Sequence, residues 1–362
     1  MAVDASGLRQ GFVEEGRFLA FPLSIPDETY PIPPDDCHIT ALTESPDGRR
    51  VYGTTGGRQC HVIAASHKGA AGGVLDVGVV PGAARLPCVV LYETERGWGH
   101  DLLVGAAGRP DGSAFYRCTV SFPGDTVQEP SFPCSAIERA VELPGVALRD
   151  AVRGPDDRLW CLTDRGLLAV ARTGGEPTWL VEHTGGGPAA PSQLVRAGDD
   201  ALCWIDPDGR LRGIDTGSLA PIDAGVCLPW SGEGAAVCAC GRTVVHADAQ
   251  GALRAVDLAG GEVRDLGTTP IPHVQCLAAL PDGRVYGVCG RGIGHFFQAE
   301  ASGGPVRDLG AIVSVIVAKR YGFEFSCAVT GRDGEIYLGE DDRGGHLWVY
   351  CPPLEVSPPP MA

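Results

Sequence analysis

The chain reads as an all-β fold, a seven-bladed β-propeller of four-stranded antiparallel blades, and three observations lead there. Strand-like runs are short and are broken at close intervals by turn residues, with 52 Gly and 29 Pro among the 362 residues. Apolar faces of helical period are scarce. Three stretches, Cys37–Gly78, Pro272–Gly310 and Gly322–Pro352, are copies of one unit and align on an Asp-Gly turn at Asp47-Gly48, Asp282-Gly283 and Asp333-Gly334. A unit of this size cannot bury its apolar face alone, and stacking copies around a ring supplies the missing partner.

The elements follow in order. Residues 16–24, GRFLAFPLS, alternate as a strand and lead through the Pro-rich run Ile25–Asp36 into the first blade, about 37–80. A second blade at about 84–132 offers CVVLYE, HDLLVGAAG and SAFYRCTVSF. The third, about 136–182, offers ALRDAVRG, RLWCLTD, GLLAVART and PTWLVE. The fourth (about 190–223) and fifth (about 232–267) are degenerate, which leaves six or eight blades as alternatives. The fifth closes on VRDLG, and the sixth, 272–310, repeats that run at Val306–Gly310. The seventh, 321–352, lacks an outer strand, because the tail PPLEVSPPPMA is full of proline, which donates no ladder hydrogen bond. Residues 16–24 are expected to supply that strand, closing the ring and removing an exposed edge. No linker or shift in composition divides the chain, so residues 1–362 are read as one domain.

Composition narrows the partners. A net charge of -16 opposes nucleic acid and anionic membrane surfaces. No apolar run reaches transmembrane length, and the N-terminal segment has no secretory pattern, so a cytoplasmic protein is expected. The 14 cysteines are scattered through apolar strands without CxxC pairs and read as buried, reduced thiols.

The repeat carries ionisable residues at matched places. Nine residues before each turn aspartate stand His38, His273 and Glu324; thirteen or fourteen after it stand His61, His295 and His346. The first set begins innermost strands and should ring the mouth of the central channel. The second begins third strands on the same face, further out. Loop residues Tyr321, Asp341, Asp342 and Arg343 should join them, while Arg149 and Gln193 should line the mouth opposite. Two imidazoles and a carboxylate can hold a divalent metal (Mn, Zn or Ca) with positions open for a ligand. Alternatively, His38 and His61 act as base and acid. Matched residues in a repeat also serve packing alone, and that reading stands beside both. His100 reads as structural, and Asp206–Arg210 as a turn. No GxGxxG, P-loop, GxSxG or HExxH is present.

The PDGRVYG strand-turn-strand run with its closing V-R-D-L-G resembles the seven-bladed propellers among polysaccharide lyases: the ulvan, rhamnose-glucuronate and oligogalacturonate lyases. The resemblance implies β-elimination on a uronate-containing oligo- or polysaccharide. His38 and His61 would then be catalytic, assisted by a tyrosine and an arginine, for which Tyr321 and Arg343 are candidates beside Tyr116-Arg117. Arg149, Gln193 and Glu324 would bind substrate, and His273, His295 and His346 would be the nearest counterparts of metal ligands. Such a substrate is anionic, so positive charge is required at the channel mouth, and the sequence shows no basic cluster. The alternatives are a metal-dependent lyase or cyclase acting on a small molecule, and a non-catalytic propeller that binds a protein or glycan.

Overall fold

The Asp-Gly turns set the blade geometry. Gly48, Gly283 and Gly334 have φ of 67°, 103° and 89°, a conformation that glycine adopts without steric cost. Each closes a tight turn, as in Gly48 N–H to Ser45 O at 2.8 Å. Asp208-Gly209 repeats the device in the fourth blade, where the Gly209 N–H donates to Asp206 O at 2.8 Å.

The structure, a computed structural model, describes residues 16–23, 32–66, 73–93, 99–109, 111–121, 137–182, 192–314 and 320–353. Among these residues no helix occurs, and the strands form seven antiparallel sheets of four strands each. β1 (Arg17–Pro22) comes first. Blade 1 is β2 (His38–Glu44), β3 (Val51–Gly56), β4 (Cys60–Ser66) and β5 (Gly73–Val80). Blade 2 is β6 (Arg85–Glu93), β7 (Gly99–Arg109), β8 (Gly112–Ser121) and β9 (Glu138–Pro144). Blade 3 is β10 (Leu148–Arg153), β11 (Leu159–Thr163), β12 (Gly166–Val170) and β13 (Thr178–Glu182). Blade 4 is β14 (Val195–Ala197), β15 (Ala201–Ile205), β16 (Arg210–Asp215) and β17 (Pro221–Cys227). Blade 5 is β18 (Ala236–Cys240), β19 (Thr243–Ala247), β20 (Ala252–Asp257) and β21 (Val263–Thr268). Blade 6 is β22 (Val274–Ala279), β23 (Arg284–Cys289), β24 (His295–Glu300) and β25 (Arg307–Ala311). A short ribbon, β26 (Val313–Ser314) with β27 (Arg320–Tyr321), leads to blade 7: β28 (Phe325–Thr330), β29 (Ile336–Glu340) and β30 (His346–Cys351).

The seventh blade takes its outer strand from the other end of the chain, as its sequence requires. β1 pairs antiparallel with β30 from Arg17↔Cys351 to Pro22↔His346. One assignment is corrected. Glu138–Pro144 pairs with β8 and is therefore the outer strand of blade 2, not the head of blade 3. Its nearness in sequence to Leu148 suggested the wrong neighbour, but an outer strand belongs to the strand before it, whatever the length of the loop between.

The core lies between blades. Phe296 and Tyr286 of blade 6 pack on Phe18, Trp348 and Tyr350 of blade 7, and Trp160 of blade 3 packs on Leu202 and Trp204 of blade 4. Each such side chain, taken fully out of water, stabilises by about 1.5–3 kcal/mol. The indole N–H groups of Trp160 and Trp204 are satisfied by Asp156 and Asp206, at 3.1 and 2.7 Å. The described cysteines are unbridged and mostly buried, as expected of small apolar fillers; burial pushes the Cys37 thiol up to about 12.

Candidate functional site: the central cavity and its rim

The inner strands of five blades do not run straight into the channel. In blade 1 the pairing steps from Ile39↔Thr55 to Ala41↔Thr54, leaving Thr40 as an extra residue. The same step leaves out Arg149 in blade 3, Gln275 in blade 6 and Ser326 in blade 7. In blade 2 it falls across Leu86-Pro87, between Arg85 and Cys88. A bulge re-aims a side chain, and here each bulge feeds one wall. Thr40, Pro87, Arg149, Gln275 and Ser326 all line a central cavity of about 510 Å³, at the end of the channel where inner strands begin.

Three of these residues are spent on holding the ring together. The Thr40 hydroxyl donates to Leu86 O of blade 2 at 2.6 Å. Ser326 Oγ donates to Ile39 O of blade 1. Gln275 Nε2 donates to Phe323 O at 3.2 Å, and its Oε1 accepts the Phe325 N–H of blade 7 at 2.6 Å. Asp150 performs the same task between blades 3 and 4, accepting the Leu194 N–H at 2.8 Å and the Ala151 N–H at 2.7 Å. Burial pushes its carboxyl up to about 7 against those two bonds. The side chain is half-buried.

What the cavity offers a ligand is therefore Arg85, Arg149, Gln193 and the half-buried ring of Trp230. No Asp or Glu among the described residues lines it. Among the described residues neither Arg85 nor Arg149 has a hydrogen-bond or ion-pair partner. Arg149 and Gln193 stand where the sequence placed them, at the mouth. Arg85 and Trp230 were not found from the sequence. Position alone signals Arg85, since it begins an inner strand as Arg149 nearly does, but the Asp-Gly of blade 2, Asp111-Gly112, lies between its second and third strands and gives no anchor for aligning the first.

Above the cavity, the rim carries an imidazole–carboxylate pair. His38 Nδ1 lies 3.0 Å from Asp341 Oδ1, with the side chains 31% and 43% exposed. The Asp341 N–H donates to Glu324 O at 2.7 Å, which places exposed Glu324 beside the pair. Burial raises the Asp341 carboxyl, and the charges of His38 and Arg85 pull it back without cancelling the rise. With a proton on Nδ1 donated to Asp341, His38 keeps Nε2 as a base. His273 is half-buried on the same rim, at the start of blade 6.

The outer histidines are not brought to this place. His61 is buried with Nδ1 2.9 Å from Asp76 Oδ2 in the outer strand of its own blade. His295 is buried with Nδ1 3.6 Å from Asp308 Oδ1, again in the outer strand. His346 lies 3.1 Å from the fully buried Glu340, which also accepts the Trp348 indole N–H at 3.2 Å. Burial would raise the Glu340 carboxyl, but His346, Arg320 and that indole hold it below the usual range. His38 and His61 are thus not a base–acid couple at one spot.

The closing V-R-D-L-G has the same structural meaning. Asp76, Asp223, Asp265 and Asp308 each accept the N–H of the glycine two residues on, at 2.8–3.0 Å, where the outer strand steps register. Gly267 and Gly310, at φ 104° and 114°, make that bulge. The motif builds propeller edges and carries no chemistry of its own.

Among the described residues no three His, Cys, Asp or Glu side chains converge as a metal-ligating set. His273, His295 and His346 have separate surroundings and do not fit a shared Mn, Zn or Ca ion. Arg343 is exposed and pairs with Asp35, and half-buried Tyr321 sits in the ribbon opposite Val313. Neither lines the cavity.

No family model matches the sequence, and no curated protein does. Solved structures do resemble it. The extracellular domain assigned to hybrid two component system BT4673 of B. thetaiotaomicron superposes with a TM-score of 0.58 at 13% identity, over 92% of this chain and 39% of that one. The corresponding domain of BT3049 from the same organism gives 0.56 at 11% identity, over 93% and 41%. The chain thus spans about two-fifths of the length of these two structures. Both are extracellular domains, in contrast to the cytoplasmic expectation from this N-terminal sequence. None of these matches carries the lyase resemblance; identities this low show the fold alone, and that fold is the seven-bladed β-propeller.

Proposed function

We propose that the protein binds a carboxylated carbohydrate, a uronate-bearing oligosaccharide, in the central cavity, with Arg85 and Arg149 receiving the carboxylate. One observation carries this: among the described residues, two arginines with no hydrogen bond or salt bridge line a cavity whose wall carries no Asp or Glu, in a chain of net charge -16. Guanidinium groups match carboxylates in shape and charge, and both arginines are exposed to solvent and open to an incoming acid. A volume of about 510 Å³ suits a small molecule or a few sugar rings. Gln193 adds a donor and an acceptor, and Trp230 adds an apolar face. The chain's long-range repulsion of anions is screened beyond about 10 Å in ordinary salt, so local charge decides binding.

Turnover is a second reading, supported by the His38–Asp341 pair at the cavity's edge. A base that removes the proton α to a carboxylate held by arginine would begin a β-elimination, with a protonated group completing it at the leaving oxygen.

The test is calorimetric titration with galacturonate and glucuronate oligosaccharides against neutral oligosaccharides of equal length. Acidic ligands should bind and neutral ones should not. Arg85→Met and Arg149→Met should each weaken binding by about 10- to 100-fold, the worth of a charge-assisted hydrogen bond. Equal binding of neutral sugars, or affinity indifferent to both substitutions, would sink the proposal. Ultraviolet absorbance of an unsaturated uronate in the same mixtures separates binding from turnover.

A further inference from the structure

The rim between blades 6 and 7 carries a surface that the cavity arginines do not use. Phe323 is 40% exposed, and its backbone is fixed on both sides. Its N–H donates to buried Glu340 Oε1 at 3.1 Å, and its C=O accepts from cavity-lining Gln275 at 3.2 Å. Ile293 is 41% exposed, and the residue after it, Gly294, donates its N–H to Gly322 O at 2.8 Å, which joins the two loops.

His273 belongs to the same assembly. Its C=O accepts the Gly290 N–H at 2.9 Å, and Gly290 O in turn accepts Gln275 Nε2 at 2.7 Å. One glutamine therefore ties together the strand of His273, the cavity wall and Phe323. His273 has φ 71°, a left-handed conformation that is uncommon for a side chain of this size. Its imidazole lies against Gly234, where a Cβ would come within 2.3 Å of Nδ1. Burial, then the charge of Arg291, lower its pKa, so the ring is neutral at neutral pH. A rigid phenyl and a neutral imidazole beside an acid-binding cavity suit the apolar face of a sugar ring.

We propose that Phe323, with His273 on the neighbouring blade, forms an aromatic subsite that stacks the pyranose ring adjacent to the one whose carboxylate enters the cavity. This rests on the cavity reading above and deepens it: the protein then distinguishes an oligomer from a monomer. The unit of recognition is at least two linked sugars, one acidic and in the cavity, one stacked at the rim.

The experiment measures the affinity of galacturonate and its linear oligomers for wild type, Phe323→Ala, Phe323→Trp and His273→Ala by calorimetry, with thermal melting to confirm folding. Wild type should gain about tenfold from monomer to oligomer. Phe323→Ala should lose that gain while monomer affinity stays unchanged, Phe323→Trp should retain it, and His273→Ala should lose part of it. A Phe323→Ala variant that keeps the full gain overturns the subsite alone. Equal losses for monomer and oligomer also overturn it, because the substitution would then act on the cavity. Wild type that binds neither ligand overturns the cavity reading and the subsite together.

Discussion

His38 Nδ1 and Asp341 Oδ1 meet at 3.0 Å across the seam where the first blade joins the seventh. Strand β2 packs directly on β28 and β29, and with β1 completing the seventh blade the chain's first inner strand stands beside its last. A pair so placed holds an imidazole upright at the mouth of the channel. If it serves as a base, His38→Ala should abolish β-elimination by about 10²- to 10⁴-fold while leaving calorimetric affinity within threefold. Asp341→Asn should lower turnover and reshape its pH profile, because the amide no longer orients a proton on Nδ1. Unchanged turnover in His38→Ala would remove the catalytic reading and leave binding as the function.

The outer histidines give the opposite prediction. Asp308 holds the Gly310 N–H at 3.0 Å and stands 3.6 Å from the buried His295 ring. Asp308→Ala should therefore cost about 1–3 kcal/mol of stability, read from urea unfolding, through a lost cap on the Gly310 N–H and the loss of the carboxylate beside a buried imidazole. Its affinity for uronates should equal that of wild type. A selective loss of affinity at unchanged stability would restore His295 to the site.

The contrast shows what the residues make legible. Asp-Gly turns, strand alternation and the three aligned copies were enough for the architecture, including the borrowed outer strand. The same alignment matched His61, His295 and His346, but matching says nothing about direction. A side chain at the start of a third strand faces the fourth strand as easily as the channel. The partners were present in the sequence, Asp76 fifteen residues after His61 and Asp308 thirteen after His295, inside the run read as a family feature. Arg85 and the bulges were hidden for another reason: a one-residue register step is decided by pairing with the next strand, which no local pattern records.

Ring closure should dominate stability. Phe18 of β1 meets Phe296 at 5.0 Å, Trp348 at 6.0 Å and Tyr350 at 5.0 Å between ring centroids. Phe18→Ala should destabilise by about 3 kcal/mol or more, as for other buried aromatic truncations, seen as a lower urea midpoint. Loss of residues 16–23 should expose the edge of β30 and promote association, detectable by light scattering. A monodisperse, equally stable truncated chain would show that the fourth strand of blade 7 is dispensable.

Asp150 links stability to pH. Its carboxyl is pushed up to about 7 by burial, against an ordinary value of 3.8. Between those values the folded state keeps a proton that the unfolded chain has released, so folding stability falls as pH rises through the window. The side chain is only half-buried, so solvent screening tempers the effect and leaves a change on the order of 1–2 kcal/mol. Asp150→Asn cannot ionise. Urea unfolding from pH 4 to pH 8 should therefore show wild type losing stability relative to Asp150→Asn as pH rises, with the histidine contributions cancelling in the difference. A difference that is flat with pH would mean that the bonds to Leu194 and Ala151 balance the burial, and that the latch between blades 3 and 4 is indifferent to its own charge.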